Sequence, residues 1–248
     1  MNAPVPEPPV PSTRQPVFNV PPVLTGLIAL MLAIHVGRVF FLSEDTDFQV
    51  ILDFAFIPIR ETHPETYAEL VTAGLGPRIW TFLTYAFLHG GWLHVGINCV
   101  WLAAFGSPVA RRFGAVRFLA YCALCAVAGA AAHLAIFPTS PAPVVGASAA
   151  ISGLMAGAAR FVFEPTGPLW SLSGSGAYRQ PASKLTDLVR NRRAMAFLVI
   201  WFVLNILFGF ADITSTVSQS VAWDAHIGGF LVGLLFFRLF DPVPGPAV

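Results

Sequence analysis

The sequence predicts an all-α integral membrane protein: six spanning helices with both termini on the cytoplasmic side. Three observations carry this. Of the 248 residues, 56% are hydrophobic and 11% are charged, where a soluble globular chain carries about 25% charged residues. The apolar residues gather into six runs, four of them near the roughly 20 residues that a bilayer core requires of a helix. Lys and Arg segregate to alternate links between those runs, which fixes an orientation because basic links stay in the cytoplasm.

The elements follow in order. Residues 1–22 contain eight prolines and read as a disordered cytoplasmic tail, too polar and too proline-rich to pack. No basic region with a cleavage site precedes the first apolar run, so that run reads as an anchor and not as a removed signal peptide. The membrane domain is assigned to residues 23–240. Its first run is Val23 to Leu42, with Arg38 near the far end. Residues 43–91 hold seven acids and two bases and form the outer loop. Within it, residues 48–75 read equally as an interfacial amphipathic segment or as an ordered cap. The second run, Trp92 to Ala110, is interrupted by His94 and Asn98. Arg111 and Arg112 mark an inner link, and Ala115 to Phe137 is the third run.

The fourth run, Ser148 to Phe163, is short. An inner loop follows at 164–193, Gly/Ser/Pro-rich, basic and expected to be flexible. The fifth run, Ala194 to Ala211, carries one acidless, baseless stretch of membrane length. The sixth, Ala225 to Phe240, holds His226 and Arg238, and residues 241–248 read as a short C-terminal tail. The fourth and sixth runs are the shortest. Short helices that stop below the surface suit a water-filled notch better than lipid contact. The alternation of links then puts Ser148 and His226 on the same, outer side at similar depth.

Composition also excludes. A net charge of +1 gives no electrostatic footprint for nucleic acid. Cys99, Cys122 and Cys125 all fall in apolar runs and read as small buried hydrophobes, with no disulfide framework. His89, His94 and Cys99 make a poor metal set, since the run has no His-Glu-x-x-His and no carboxylate. No cofactor is implied.

The chemistry lies in the polar residues that interrupt the runs. Such residues inside a membrane are costly and tend to be functional. A serine facing a histidine supplies a nucleophile and its general base. His94 and Asn98, four apart, share a helix face, and both can donate to an oxyanion in a dry site. The Ser148 amide, at a helix start, is a further donor aided by the helix dipole. Ser148 and Ser152 share a face with Gly153 and Gly157 beside it, and His226, Gly229 and Gly233 share another. Small residues let two backbones approach closely, as a serine oxygen about 3 Å from a histidine nitrogen demands. Taken singly, each residue has a plainer role: Ser148 as a cap or packing residue, His226 bonded to a carbonyl, Asn98 as interhelical glue. Asp224, two residues before His226, reads as a helix cap, and His35 and His133 as structural.

Together these pieces resemble the rhomboid intramembrane serine proteases. They are His89…His94-x-x-x-Asn98, Gly146-x-Ser148 and Ala225-His226-x-Gly228-Gly229-x-x-x-Gly233, in that order and in separate runs, over about residues 20 to 240. Phe54-Ala55-Phe56-Ile57-Pro58 also resembles a stretch found in many members. The resemblance implies a six-helix rhomboid-like bundle and a Ser148–His226 dyad without a third acid. It implies an oxyanion hole from His94, Asn98 and the Ser148 amide, and a water-holding role for His89. The expected substrates are single-span membrane proteins with helix-breaking residues near their outer ends, within the lipid bilayer (the plasma membrane, if the source is bacterial). Three positions depart from the family's pattern. Ala149 follows the serine where glycine is common, Trp80-Thr81 stands for a Trp-Arg pair, and Ser152 occupies a support position that usually holds an aromatic ring. Ser152 leaves more room beside the histidine. Two other classes compete: an inactive rhomboid-like protein that binds transmembrane clients, whose usual sign is a missing Ser or His, and a transporter, which would show inverted repeats.

Overall fold

A computed structural model describes residues 20–67, 74–169, 174–214 and 222–244. Most of the proline-rich segment 1–22, and residues 245–248 of the C-terminal segment, lie outside them. The described residues are helical, without a named strand; one isolated antiparallel bridge joins Phe56 to Val144. Among the described residues, four helices are long and apolar enough to cross a membrane: Pro22–Phe41, Trp92–Phe113, Ala115–Ile136 and Trp223–Phe240. A shorter apolar helix, Ser148–Ala159, and a 23-residue helix, Arg192–Thr214, pack with them.

Their boundaries have local causes. Proline at the first position starts Pro22–Phe41, where the missing N–H costs nothing. The helix Trp92–Phe113 stays continuous through a π-turn at Leu102–Gly106 and stops at Gly114, whose φ of 74° is a left-handed conformation that glycine adopts without strain. The same glycine begins the turn into Ala115–Ile136.

Helix Ser148–Ala159 is the centre of the molecule. Every residue from Ala149 to Ala159 is buried, so this helix contacts protein on all sides and its 12 residues need not span a bilayer. Helices Ala115–Ile136 and Trp223–Phe240 pack against it most closely. Cβ atoms at Gly229 and Gly233 would run into the backbone of Ala149 and of Gly153, and one at Gly153 would meet the Cys125 side chain. The glycines thus set backbone-to-backbone contact, which is how helices associate where lipid removes the hydrophobic drive between them. Gly157 faces Tyr121 and Phe237 in the same way. The Tyr121 hydroxyl lies 2.9 Å from the Gly153 carbonyl and 2.7 Å from that of Gly233. It bridges the two helices where they are closest.

The segment between the first two long helices is an ordered cap where it is described. Helix Glu44–Phe54 is capped by Ser43, whose Oγ accepts from the Thr46 amide, and three acids fill its first turn, complementing the helix dipole. The stretch 54–58 then pairs with the loop that leads to Ser148. Phe56 N–H donates to the Val144 carbonyl at 3.1 Å and Val144 N–H to the Phe56 carbonyl at 2.8 Å. Farther along, Ile59 N–H donates to Ser140, and the Thr62 hydroxyl to Pro138.

The structure departs from expectation in two places. The 164–193 link, expected to be flexible, is pinned over 177–188: Ala177, Ala182 and Leu188 are buried, and the Arg160 guanidinium donates to the Ser183 carbonyl at 2.9 and 2.7 Å. Asp241, placed in the tail by the sequence, belongs to the core. Its carboxylate receives two bonds of 2.9 Å from Arg112, both side chains being fully buried. The remaining Arg112 nitrogen donates to the carbonyls of Tyr178 and Gln180. An arginine offers five donors in a fixed fork, so one side chain ties the link, the end of the second spanning helix and the end of the last.

Candidate active site

Ser148 is the first residue of its helix, after Ala147. Its approach is shaped by Gly146, whose φ of 118° few other residues tolerate. A Cβ there would also meet the His94 imidazole. Gly146 N–H donates to the Tyr85 carbonyl at 3.0 Å, and the Tyr85 hydroxyl to the Ala126 carbonyl at 2.8 Å. The serine therefore enters its helix from a loop held on both sides, by the outer cap and by Tyr85.

His226 lies one turn into helix Trp223–Phe240. Its Nε2 stands 2.7 Å from Ser148 Oγ, a full hydrogen bond between residues 78 apart. Both are half-buried rather than sealed. The glycine contacts at 229 and 233 make this distance possible, since they bring the two helix axes together one and two turns below the pair.

The opposite ring nitrogen has a partner the sequence reading missed. His226 Nδ1 lies 2.6 Å from Oδ1 of Asn205, on helix Arg192–Thr214. The Asn205 amide nitrogen donates to the Trp223 carbonyl at 3.1 Å. Asn205 is 6% exposed, while Val199, Ile200, Phe202, Val203, Leu204 and Leu207 on the same helix are exposed. A lone amide in the otherwise apolar run Ala194 to Ala211 was the signal the sequence offered.

The other expected residues fall as follows. His94 and Asn98 lie on helix Trp92–Phe113 across from the serine loop. The Asn98 side-chain amide donates to the His94 carbonyl at 2.9 Å, which leaves its second hydrogen for another acceptor. His94 Nδ1 accepts from the Gly90 amide at 3.4 Å, a long bond, and its Nε2 side faces Gly146. His89, 1% exposed, packs edge-on against His94 with ring centroids 5.1 Å apart. Its carbonyl accepts from Arg38, whose Nε bonds Asp47 at 2.6 Å. Burial, with the His94 ring as a lesser cause, pushes the His89 imidazole down to about 4, so it is neutral at ordinary pH. Ser152 donates its hydroxyl to the Ser148 carbonyl at 2.8 Å. It braces its own helix, and the bond to the imidazole comes from Asn205.

Asp224 is not the cap of the last helix: Ala222 holds that position, and the Asp224 carboxylate meets His133 Nδ1 at 2.7 Å, with both residues buried. A single acid near His226 thus belongs to a separate pair that fastens the last helix to Ala115–Ile136.

The first-turn amides of the serine helix have no acceptor within it. Ile151 N–H is the first to bond back, to the Ala147 carbonyl at 3.0 Å. Those of Ser148, Ala149 and Ala150 precede it. A nucleophile, a base in contact with it and amides at a positive helix end compose what acyl transfer requires.

Comparison with known proteins gives a consistent result. The rhomboid domain family model matches residues 76–241. Rhomboid protease GlpG of Serratia proteamaculans is 28% identical over 158 residues, covering 64% of this chain and 47% of that protein. Rhomboid protease GluP of Bacillus subtilis is 31% identical over 154 residues, covering 62% of this chain and 24% of its own. Rhomboid protease GlpG of Yersinia pestis is 29% identical over 158 residues. The matched region spans less than half the length of each of these relatives.

Proposed function

The chain belongs to the rhomboid family, and we propose that it is an intramembrane serine endopeptidase that cleaves transmembrane proteins with Ser148 as nucleophile and His226 as general base. The observation that carries this reading is the 2.7 Å contact between Ser148 Oγ and His226 Nε2, made between two helices far apart in the chain. A family relationship by itself leaves activity open; a nucleophile in hydrogen bond with its base is the geometry the reaction needs.

The steps follow from the residues. His226 Nε2 takes the Ser148 proton as Oγ attacks a peptide carbonyl. The resulting oxyanion is held by the Ser148 amide, with Asn98 and His94 as side-chain donors. The imidazolium then gives its proton to the leaving amine, leaving an acyl-serine. Water, deprotonated by His226, attacks that ester and releases the new C-terminus. Half-burial of both dyad residues is compatible with water reaching the second step. His89, packed edge-on against His94, helps hold water at the site.

The substrates proposed are single-span membrane proteins whose helices are broken near the outer end. A peptide bond in a stable helix is shielded, because its carbonyl is already hydrogen-bonded and its backbone is enclosed by side chains. The proposed topology adds Ser148–Ala159 and Arg192–Thr214 to the four long apolar helices, which makes six, with both termini cytoplasmic and, if the source is bacterial, the bundle in the plasma membrane. An inactive client-binding protein is the weaker reading, since both dyad residues are present and in contact.

A fluorophosphonate probe tests the assignment. Wild-type protein in detergent should be labelled, and Ser148→Ala should not. Cleavage of a transmembrane substrate by the alanine variant would overturn it.

A further inference from the structure

We propose that Asn205 is a positioning residue for the dyad: its side-chain carbonyl holds the His226 imidazole in the tautomer that leaves Nε2 free to accept the serine proton. This rests on the peptidase reading above.

The argument begins with the amide. A carboxamide has an acceptor end and a donor end, and their orientation is settled by the hydrogen-bond network around them. One end of Asn205 faces the Trp223 main-chain carbonyl at 3.1 Å. A carbonyl can only accept, so that end must be the NH2 group. The other end, 2.6 Å from His226 Nδ1, is therefore Oδ1, an acceptor. Two acceptors cannot share a hydrogen bond, so Nδ1 carries the ring proton. In a neutral imidazole the second nitrogen is then unprotonated. Nε2 presents its lone pair to Ser148 Oγ at 2.7 Å, and the serine hydroxyl must donate. A main-chain carbonyl thus sets the direction of the whole chain: Ser148 to His226 to Asn205 to Trp223.

The arrangement explains two further facts. Ser152 gives the imidazole no hydrogen bond, its hydroxyl being spent on the Ser148 carbonyl; Asn205 supplies the contact that fixes the ring. Among the described residues, the acid nearest His226 in sequence, Asp224, is committed to His133. An amide oxygen can fix a tautomer without carrying a charge, and in a membrane an unpaired carboxylate would be costlier to bury.

The plainer role for Asn205 is glue between helices, through Trp223 alone. Two substitutions separate the roles. Asn205→Leu keeps the bulk and removes both ends. Asn205→Asp keeps the acceptor toward His226 and removes the donor toward Trp223. If Asn205 positions the base, the leucine variant should lose about 10²-fold in kcat, within the range a placed general base supplies. KM should stay the same, and fluorophosphonate labelling should slow in parallel. The aspartate variant should recover most of that loss. If Asn205 is only glue, aspartate will be no better than leucine, and the proposal fails. It also fails if leucine labels at the wild-type rate.

A second measurement reads the wild-type protein directly. Selective 15N-histidine labelling of the wild-type protein in micelles, at mildly alkaline pH, reports which ring nitrogen is protonated. His226 should be the Nδ1–H tautomer, assigned by the signal lost in His226→Gln. An Nε2–H tautomer overturns the proposal. Absence of wild-type labelling and cleavage, with the Nδ1–H tautomer present, would instead count against the peptidase reading.

Discussion

In the proposed mechanism, Asn98 and His94 act at a different moment from Ser148 and His226. Both stand on the helix facing the serine loop, and neither bonds Ser148 in the resting structure; Asn98 donates to its own helix. Donors that act on an oxyanion are useful only when the charge forms. Asn98→Ala should therefore insert and fold normally and lose on the order of 10²–10³ in kcat, with little change in KM. Steady-state cleavage of a transmembrane substrate measures the split. A full-rate Asn98→Ala/His94→Ala double variant would remove both from the oxyanion hole. His89 carries a different expectation. Its folded-state value of about 4 lies below the roughly 6.5 of an exposed histidine. As pH falls below about 6.5 the unfolded chain takes up a proton that the folded protein refuses until about 4. Stability is thus full above that window and declines through it. Thermal melts in detergent should fall between neutral pH and about pH 5, and His89→Gln should flatten that decline. An unchanged slope in the glutamine variant would show that other groups titrate.

At the scale of elements, the contact between helices Ser148–Ala159 and Trp223–Phe240 sets the Ser–His distance. Gly233 touches the Gly153 backbone directly, and backbone cannot step aside as a side chain can. Gly233→Val should force the helices apart, at about 1–3 kcal/mol for overpacking. It should also lengthen the Ser148–His226 bond two turns above. Activity should fall more steeply than the melting temperature. A valine variant of wild-type activity would mean that the glycine contact does not set the dyad. The outer cap has a comparable role at the other end of the serine helix, because the Phe56–Val144 bridge holds the loop that carries Gly146. The stretch 54–58 was legible as a motif in the sequence. What it pairs with was not, since a two-bond bridge 88 residues apart leaves no periodic trace.

For the whole molecule, Arg112 and Asp241 close the end of the bundle away from His226. Breaking a buried ion pair by removing one partner costs about 3–5 kcal/mol, since it strands a charge. Asp241→Ala should lower the melting temperature sharply although it sits at the edge of the chain. Topology is tested with single cysteines in a background lacking Cys99, Cys122 and Cys125. Glu65 and Thr186 are both exposed, so substitution there perturbs little. An impermeant thiol reagent outside sealed cells should modify Glu65→Cys and spare Thr186→Cys; the reverse pattern would invert the proposed orientation.

The sequence alone determined the helical class, the positions of the apolar runs to within a few residues, and which polar residues interrupt them. Those properties are local: a bilayer demands a continuous apolar stretch of fixed length, and a charged or hydroxylated side chain within one is visible without knowing its neighbours. The tertiary structure decided who faces whom. Asn205 reads as a single amide in the fifth run until it is set against His226, and Asp224 reads as a cap until His133 is brought to it. Asp241 reads as tail until Arg112 is found beneath it. Each of these pairings joins residues 21 to 129 positions apart. Their partners are chosen by helix packing in three dimensions, which no spacing along one helix encodes.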